Sequence, residues 1–245
     1  MVIYRLIRIV LHLFAGLAIC ALVFPFIAKE GRQAHIRRWS IKLLKLCRIT
    51  VQIKSPVGVM EARRALIVSN HISWLDIFVI NSLHPCRFVA KSDIRDWPLI
   101  GWLCEKAGTI FIARGKLRDV RRIYQGVVAN LHAGEHVAFF PEGTTAVQGS
   151  LLPFHANLFE AAIEAQVPVQ PFVLRYVDGL GKWHPAAAFI DDMTFAQSVF
   201  AILRAEKITA QLTVLPAIAT EEASHRRELA DTARASIAQA LGYET

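Results

Sequence analysis

The sequence predicts an α/β fold, a mixed, largely parallel sheet flanked by helices, with an N-terminal membrane-binding two-helix segment. Three observations carry this expectation. From residue 50 on, short apolar runs alternate with stretches of helical periodicity, the pattern of strands joined by crossover helices. The first 50 residues hold nine Lys or Arg and one Glu, whereas residues 51–245 hold 19 residues of each sign, so the whole net charge of +8 lies in the first fifth of the chain. That same basic segment contains the uncharged, mostly apolar run Ile9–Ile27.

As a helix, Ile9–Ile27 would rise about 28 Å, close to the ~30 Å of a bilayer core. Arg5 and Arg8 precede it, and Lys29, Arg32, Arg37 and Arg38 follow it. Positive charge at both ends gives no orientation. With His12 and Pro25 inside the run, dipping into one leaflet fits as well as crossing. A secretory leader shares the basic start and apolar middle, but no A-x-A cleavage pattern follows. Residues 31–49 read as a second helix. Ile36, Trp39, Leu43 and Leu46 recur three or four residues apart, and Arg37, Arg38, Lys42, Lys45 and Arg48 fill much of the rest. A basic face beside an apolar face with Trp suits the lipid interface; a solvated helix packed on the domain is the alternative. Residues 1–49 are therefore expected to form a membrane-anchoring helix pair, and residues 50–245 one catalytic domain.

Within that domain, strands are expected at 65–69, 87–90, 109–112, 137–140, 168–175, 186–190 and 208–215. Helices are expected at 73–82, 97–107, 116–133, 156–166, 194–204 and 221–240, with Gly134 ending the third of these. A hydrophobic fraction of 54% and a mean hydropathy of +0.37 are high for a soluble domain. The excess charge sits on an apolar segment rather than over a folded face, which argues against nucleic acid and for an anionic membrane surface. Cys20, Cys47, Cys86 and Cys104 show no CxxC spacing and no paired His ligands, so no zinc is expected and the thiols read as reduced, as in a cytoplasmic setting.

Three motifs stand where apolar strands end, the usual place for ligands in open α/β sheets. Ala65–Ser69 delivers Asn70 and His71, with Asp76 five residues on and one turn into a helix. A histidine held by a carboxylate is a ready general base, because the carboxylate fixes the tautomer and stabilises the imidazolium. The run Thr109–Ala113 delivers Arg114, which with Lys116 and Arg118 offers a place for an anionic headgroup. The turn Phe140-Pro141-Glu142-Gly143-Thr144 directs a carboxylate and backbone N–H groups into one place, where Glu142 could bind hydroxyls. No G-x-S-x-G elbow is present, and Ser73 is a helix-start residue before it is a nucleophile. The hydroxyl that His71 deprotonates is then the substrate's own, and the electrophile must already be activated, as a thioester is. No P-loop, dinucleotide fingerprint, HExxH or EF-hand pattern occurs, so neither a metal nor an organic cofactor is expected.

These residues resemble the 1-acylglycerol-3-phosphate acyltransferases, the membrane-bound glycerolipid acyltransferases. Asn70-His71 through Asp76 is similar to that family's NHx4D motif. Gly108–Arg114 resembles its second motif, Phe140–Thr144 its FPEGT motif, and Val167-Pro168-Val169-Gln170-Pro171 its proline-bearing fourth. The resemblance implies acyl transfer from acyl-CoA or acyl carrier protein to the free hydroxyl of a lysolipid, in phospholipid biosynthesis, without an acyl-enzyme. It implies His71 as base and Asp76 as its partner. Glu142, Gly143 and Thr144 would help hold the acceptor, and Arg114 its phosphate. It puts 1-acylglycerol-3-phosphate first as acceptor, giving phosphatidic acid. It further implies a place on the cytoplasmic face of the inner membrane of a bacterium. Two departures bear on the acceptor: Thr145 stands where the family often has Arg, and a Lys common shortly downstream is replaced around Phe154-His155. The Gly-Thr-Thr form is also similar to a bacterial branch that includes lyso-ornithine lipid acyltransferases, the alternative acceptor reading. A lipid-binding or thioester-hydrolysing protein of the same fold is the remaining alternative.

Overall fold

The computed structural model describes residues 2–55, 64–112, 117–221 and 224–243, and for 117–123 the backbone alone. The N-terminal run forms α1 (Val2–Leu22), closed by a 3-10 turn at Phe24–Phe26. It starts seven residues before the uncharged run because Arg5 and Arg8 lie within the helix. Pro25 sits in the closing turn, where its missing N–H breaks no helical bond. Then follow α2 (Lys29–Leu46) and β1 (Ile49–Lys54). No strand is expected from the sequence before residue 65, and only the first residue of β1 falls within the helix expected at 31–49. The helix instead stops near Cys47, and Arg48 adopts a positive φ of 59°, a C-terminal geometry that glycine usually marks. From Ile49 the residues alternate Ile-Thr-Val-Gln-Ile, a two-residue period that belongs to a strand.

Next come β2 (Leu66–Ser69), α3 (Leu75–Leu83), β3 (Arg87–Lys91), α4 (Ile100–Lys106), β4 (Ile110–Ile112) and α5 (Leu117–His132). The chain continues through β5 (Val137–Phe139), α6 (Glu160–Glu164), β6 (Val169–Val177), α7 (Phe195–Arg204), β7 (Ile208–Val214) and α8 (Arg226–Leu241). Gly134 has φ 78° just past α5, as expected of a residue ending that helix. The strands lie in the order β1-β7-β6-β2-β5-β3-β4. Every neighbouring pair is parallel except β6 with β7, so the sheet is mixed and largely parallel as the alternation predicted. The segment 186–190 is not a strand. Pro185–Ala187 forms a 3-10 turn whose Ala186 N–H is taken by the His184 ring, and Phe189 donates its N–H to the loop carbonyl of Ile72 at 3.0 Å.

All four residues of β2 are buried, because helices cover both faces of the sheet. Ile67 joins Leu43 and Leu44 of α2, Leu75 and Val79 of α3, and Ile202 of α7. Leu66 and Val68 face Val127 and Leu131 of α5, Ala161 of α6, and Leu229 and Ile237 of α8. The apolar face of α2 is thus packed into the core rather than left for lipid. The four cysteines are free thiols, and burial pushes the Cys47 thiol up to about 12, which leaves it unreactive.

Polar contacts join the two helices to each other and α2 to the sheet. His12 and Trp39 exchange ring-to-carbonyl hydrogen bonds, each 3.0 Å, and their rings stack at 4.6 Å. A Cβ on Gly16 would lie 2.6 Å from the Trp39 indole nitrogen, so a small residue is needed for this approach. Glu135, buried before β5, accepts from Arg87 at 2.9 Å and from Gln33 at 3.2 Å, and pairs with Lys29 at 3.3 Å. Glu135→Ala would leave Arg87 and the two α2 donors without their acceptor. Urea unfolding is expected to show a loss of about 1–3 kcal/mol; an unchanged midpoint would show the cluster to be energetically idle.

Candidate active site

The site forms where β2 and β5 end side by side, paired in register from Leu66↔Val137 to Val68↔Phe139. Asn70 prolongs the β2–β6 pairing with its side chain. Its amide nitrogen donates to the Leu174 carbonyl at 3.0 Å and its amide oxygen accepts from Leu174 N–H at 2.8 Å. That bidentate bridge fixes the backbone immediately before His71.

Asp76 lies in the first turn of α3 and is fully buried. Its Oδ2 accepts from His71 Nδ1 at 2.8 Å, from Ile72 N–H at 2.8 Å and from Ser73 N–H at 3.0 Å. Its Oδ1 accepts from the hydroxyl of Tyr176 at 2.7 Å. Tyr176 is itself buried, and burial followed by the Asp76 charge drives its phenol well above the usual range, which keeps it a donor. The hydrogen-bond network assigns the imidazole proton to Nδ1. Among the described residues Nε2 has no partner, and the ring, 18% exposed, stacks on Phe140 at 3.8 Å and 7°.

The loop after β5 grips the same histidine by its backbone. Glu142 Oε1 accepts from His71 N–H at 2.8 Å, and Oε2 accepts from Leu152 N–H at 2.9 Å. Burial pushes this carboxyl up, while the two N–H groups pull it back less strongly. The His71 carbonyl accepts from Ala146 N–H at 2.8 Å. Thr145 donates its hydroxyl to the Phe189 carbonyl, which closes the 184–190 segment over the loop. Gly143 turns the chain at φ 71°, and a Cβ there would meet His155 at 3.3 Å. Thr144 is exposed beside it.

The structure therefore brings together His71, Asp76, Glu142, Gly143 and Thr144. Arg114 and Lys116 lie outside the described residues, as does the side chain of Arg118. Both oxygens of Glu142 are engaged by backbone, so its visible contacts orient His71. Reading the sequence missed Tyr176, 100 residues from its carboxylate, and the Asn70 bridge. The Tyr176 contact leaves no local trace, whereas Asn70 stood in plain view beside His71 without a stated job. Chemically, the pair offers an imidazole with one nitrogen fixed by a carboxylate and the other open, suited to taking a proton from a hydroxyl.

A sequence profile of the Acyltransferase family matches residues 48–175. The chain belongs to this acyltransferase family. The acyltransferase is 37% identical to a lyso-ornithine lipid O-acyltransferase of Pseudomonas aeruginosa, over 86% of this chain and 79% of that protein. It is also 37% identical to a 1-acyl-sn-glycerol-3-phosphate acyltransferase of Neisseria gonorrhoeae, over 70% of this chain and 67% of the relative. A lyso-ornithine lipid O-acyltransferase of Rhodobacter capsulatus is 30% identical over 96% of this chain and 88% of its own. In fold, the acyltransferase is similar to the crystal structure of a 1-acyl-sn-glycerophosphate acyltransferase from Thermotoga maritima. That likeness has a TM-score of 0.66 at 18% identity and covers 97% of this chain and 96% of the other.

Tyr176→Phe would keep the packing and delete one donor to Asp76. A buried acceptor left unpaired costs about 1–3 kcal/mol. The expected outcome is a folded enzyme whose kcat falls about tenfold with both KM values nearly unchanged. Steady-state kinetics on the purified variant checks this, and an unaltered kcat would remove Tyr176 from the account.

Proposed function

We propose that this acyltransferase moves an acyl chain from acyl-CoA or acyl carrier protein to the free hydroxyl of a lysolipid, in one step on bound substrates. The observation that supports this reading is the His71 Nδ1–Asp76 Oδ2 bond with Nε2 left open. His71 Nε2 takes the hydroxyl proton as the acceptor oxygen attacks the thioester carbonyl. The carbon–oxygen bond forms, the carbon–sulfur bond breaks, and the departing thiolate receives the proton from the imidazolium. Asp76 stabilises that imidazolium, a contribution typically worth about 10²–10⁴ in rate. Glu142 holds the base in place through its backbone, Gly143 and Thr144 line the acceptor side, and Arg114 meets the headgroup. The thioester is a substrate, and this chemistry calls for no metal or organic cofactor. Thioester carriers of this kind are cytoplasmic, which favours the cytoplasmic face of a bacterial inner membrane.

For the acceptor we favour a lyso-ornithine lipid, reversing the order drawn from the motifs alone. Two relatives that align over 86% and 96% of this chain carry that activity in their names, against 70% for the Neisseria relatives. Thr145 also stands where a phosphate-binding Arg is common, with its hydroxyl already committed to Phe189. The second reading, 1-acylglycerol-3-phosphate, draws on the equally identical Neisseria relatives.

Purified enzyme in mixed micelles, offered each lysolipid with one acyl thioester and read by mass analysis of products, decides between them. A kcat/KM on lyso-ornithine lipid at least about tenfold higher is expected. In the same assay Thr145→Arg should lower lyso-ornithine use, by losing the Phe189 contact and repelling the ornithine ammonium. Preference for 1-acylglycerol-3-phosphate, raised further by Thr145→Arg, would establish the second reading. Thiol release without any acceptor ester would point to hydrolysis instead.

A further inference from the structure

Three helices of this protein repeat one surface device. On α1, the Arg8 guanidinium lies 5.5 Å from the Tyr4 ring centre; on α4, the Lys106 ammonium lies 5.6 Å from Trp102; on α7, the Arg204 guanidinium lies 5.9 Å from Phe200. In each pair the cation follows the aromatic by four residues, so both occupy one helix face. All three rings are exposed. The three helices also adjoin one another. α1 packs against both α4 and α7, Arg5 of α1 donates to the Leu203 carbonyl at the end of α7 at 2.8 Å, and Trp97, just before α4, meets Phe195 at the start of α7 at 6.0 Å.

Just before α4 the chain forms an apolar knob, Trp97-Pro98-Leu99. Trp97 is 42% and Leu99 49% exposed. Leu99 has a φ of 64°, a conformation that costs a branched side chain energy. The turn is drawn tight by Ile100 N–H to the Pro98 carbonyl at 2.7 Å and Gly101 N–H to the Trp97 carbonyl at 2.9 Å. A Cβ on Gly101 would lie 2.0 Å from the Arg95 carbonyl oxygen, so only glycine permits the turn. Arg95 pairs with Glu105 at 3.4 Å. The strained turn holds Leu99 outward, while Trp97 keeps an edge contact with Phe195 and leaves much of its ring exposed.

We propose that the Trp97–Leu99 knob, with α4 and α7, is a second membrane-inserting element that seats on an anionic bilayer beside α1. Rings at the headgroup level with cations four residues on match the two layers of such an interface, an apolar boundary below and phosphates above. α1, which α4 and α7 adjoin, exposes Ile3, Ile7 and Phe14 along one stripe opposite the buried His12, Gly16 and Cys20. The surface also adjoins the candidate site. Phe195 contacts Trp74 at 5.1 Å, and Trp74, three residues after His71, donates its indole N–H to the Ser198 hydroxyl. The assignment needs no particular acceptor and stands apart from the transfer chemistry.

The test is co-flotation of the full chain with vesicles of phosphatidylethanolamine containing phosphatidylglycerol, against vesicles of phosphatidylcholine alone. Trp97→Ser with Leu99→Ser is expected to lower the bound fraction at least about tenfold on both, since two apolar side chains leave the bilayer. Lys106→Gln with Arg204→Gln should weaken only binding to the anionic vesicles and flatten its salt dependence. To guard against a misfolded variant, Trp97→Phe is compared with the parent by emission quenching from lipids brominated along the acyl chain. The quenched share should fall when Trp97 is removed. Binding by the Trp97/Leu99 variant within twofold of the parent, or quenching unaltered in Trp97→Phe, would overturn the proposal.

Discussion

The structure around the site depends on one buried carboxylate. Asp76 is removed from water at the start of α3, and isolating a charge in this way costs several kcal/mol unless it is paired. Four donors offset that cost: the His71 ring, two backbone N–H groups and the Tyr176 hydroxyl. Satisfying them sets the turn from β2 into α3, draws β6 toward that turn through Tyr176, and holds the imidazole in a single tautomer. The loop after β5 then completes the enclosure, with Glu142 and Ala146 holding the amide and carbonyl of His71 itself. A base positioned by its ring and by both sides of its backbone has little freedom left, and low reorganisation favours proton transfer.

The N-terminal helices belong to the same mechanical unit. Trp39 of α2 meets Phe78 of α3 at 5.6 Å, and Phe78 meets Trp74 at 5.9 Å, so a line of rings runs from the α1–α2 interface to the first residues of the catalytic helix. On the far side of α2, Glu135 joins Lys29 and Gln33 to Arg87 of the sheet. A protein whose proposed acceptor resides in a bilayer gains from this rigidity, because the base must meet a hydroxyl held at a defined depth.

Much of this was legible in the sequence, and the reasons for the exceptions are physical. The strand ends at Ser69 and Phe139 could be placed because short apolar runs stop abruptly at polar residues, and His71, Asp76 and Glu142 follow directly. Helices with strong periodicity, such as α5 and α7, were found within a few residues. β1 was overlooked because Arg48, not glycine, takes the left-handed turn between helix and strand. Residues 186–190 read as a strand by composition, but Pro185 and the His184 ring organise a turn there instead. Contacts between distant segments, such as Tyr176 with Asp76 or Thr145 with Phe189, follow from sheet topology and have no local signature. The apolar stripe of α2 was legible as a stripe; only the packing against α3 and the sheet reveals that it faces core.

The central claim is that Asp76 makes His71 a base by fixing its tautomer and stabilising its charge. The most direct measurement is single-turnover acyl transfer by Asp76→Asn, with thermal unfolding and substrate affinities measured on the same preparation. Asparagine keeps the shape but not the charge, and its amide can present a donor to Nδ1. The account predicts a chemical step slowed by about 10²–10⁴ with donor and acceptor binding nearly intact. A rate within a few-fold of the parent, from a folded variant with unaltered affinities, would contradict it.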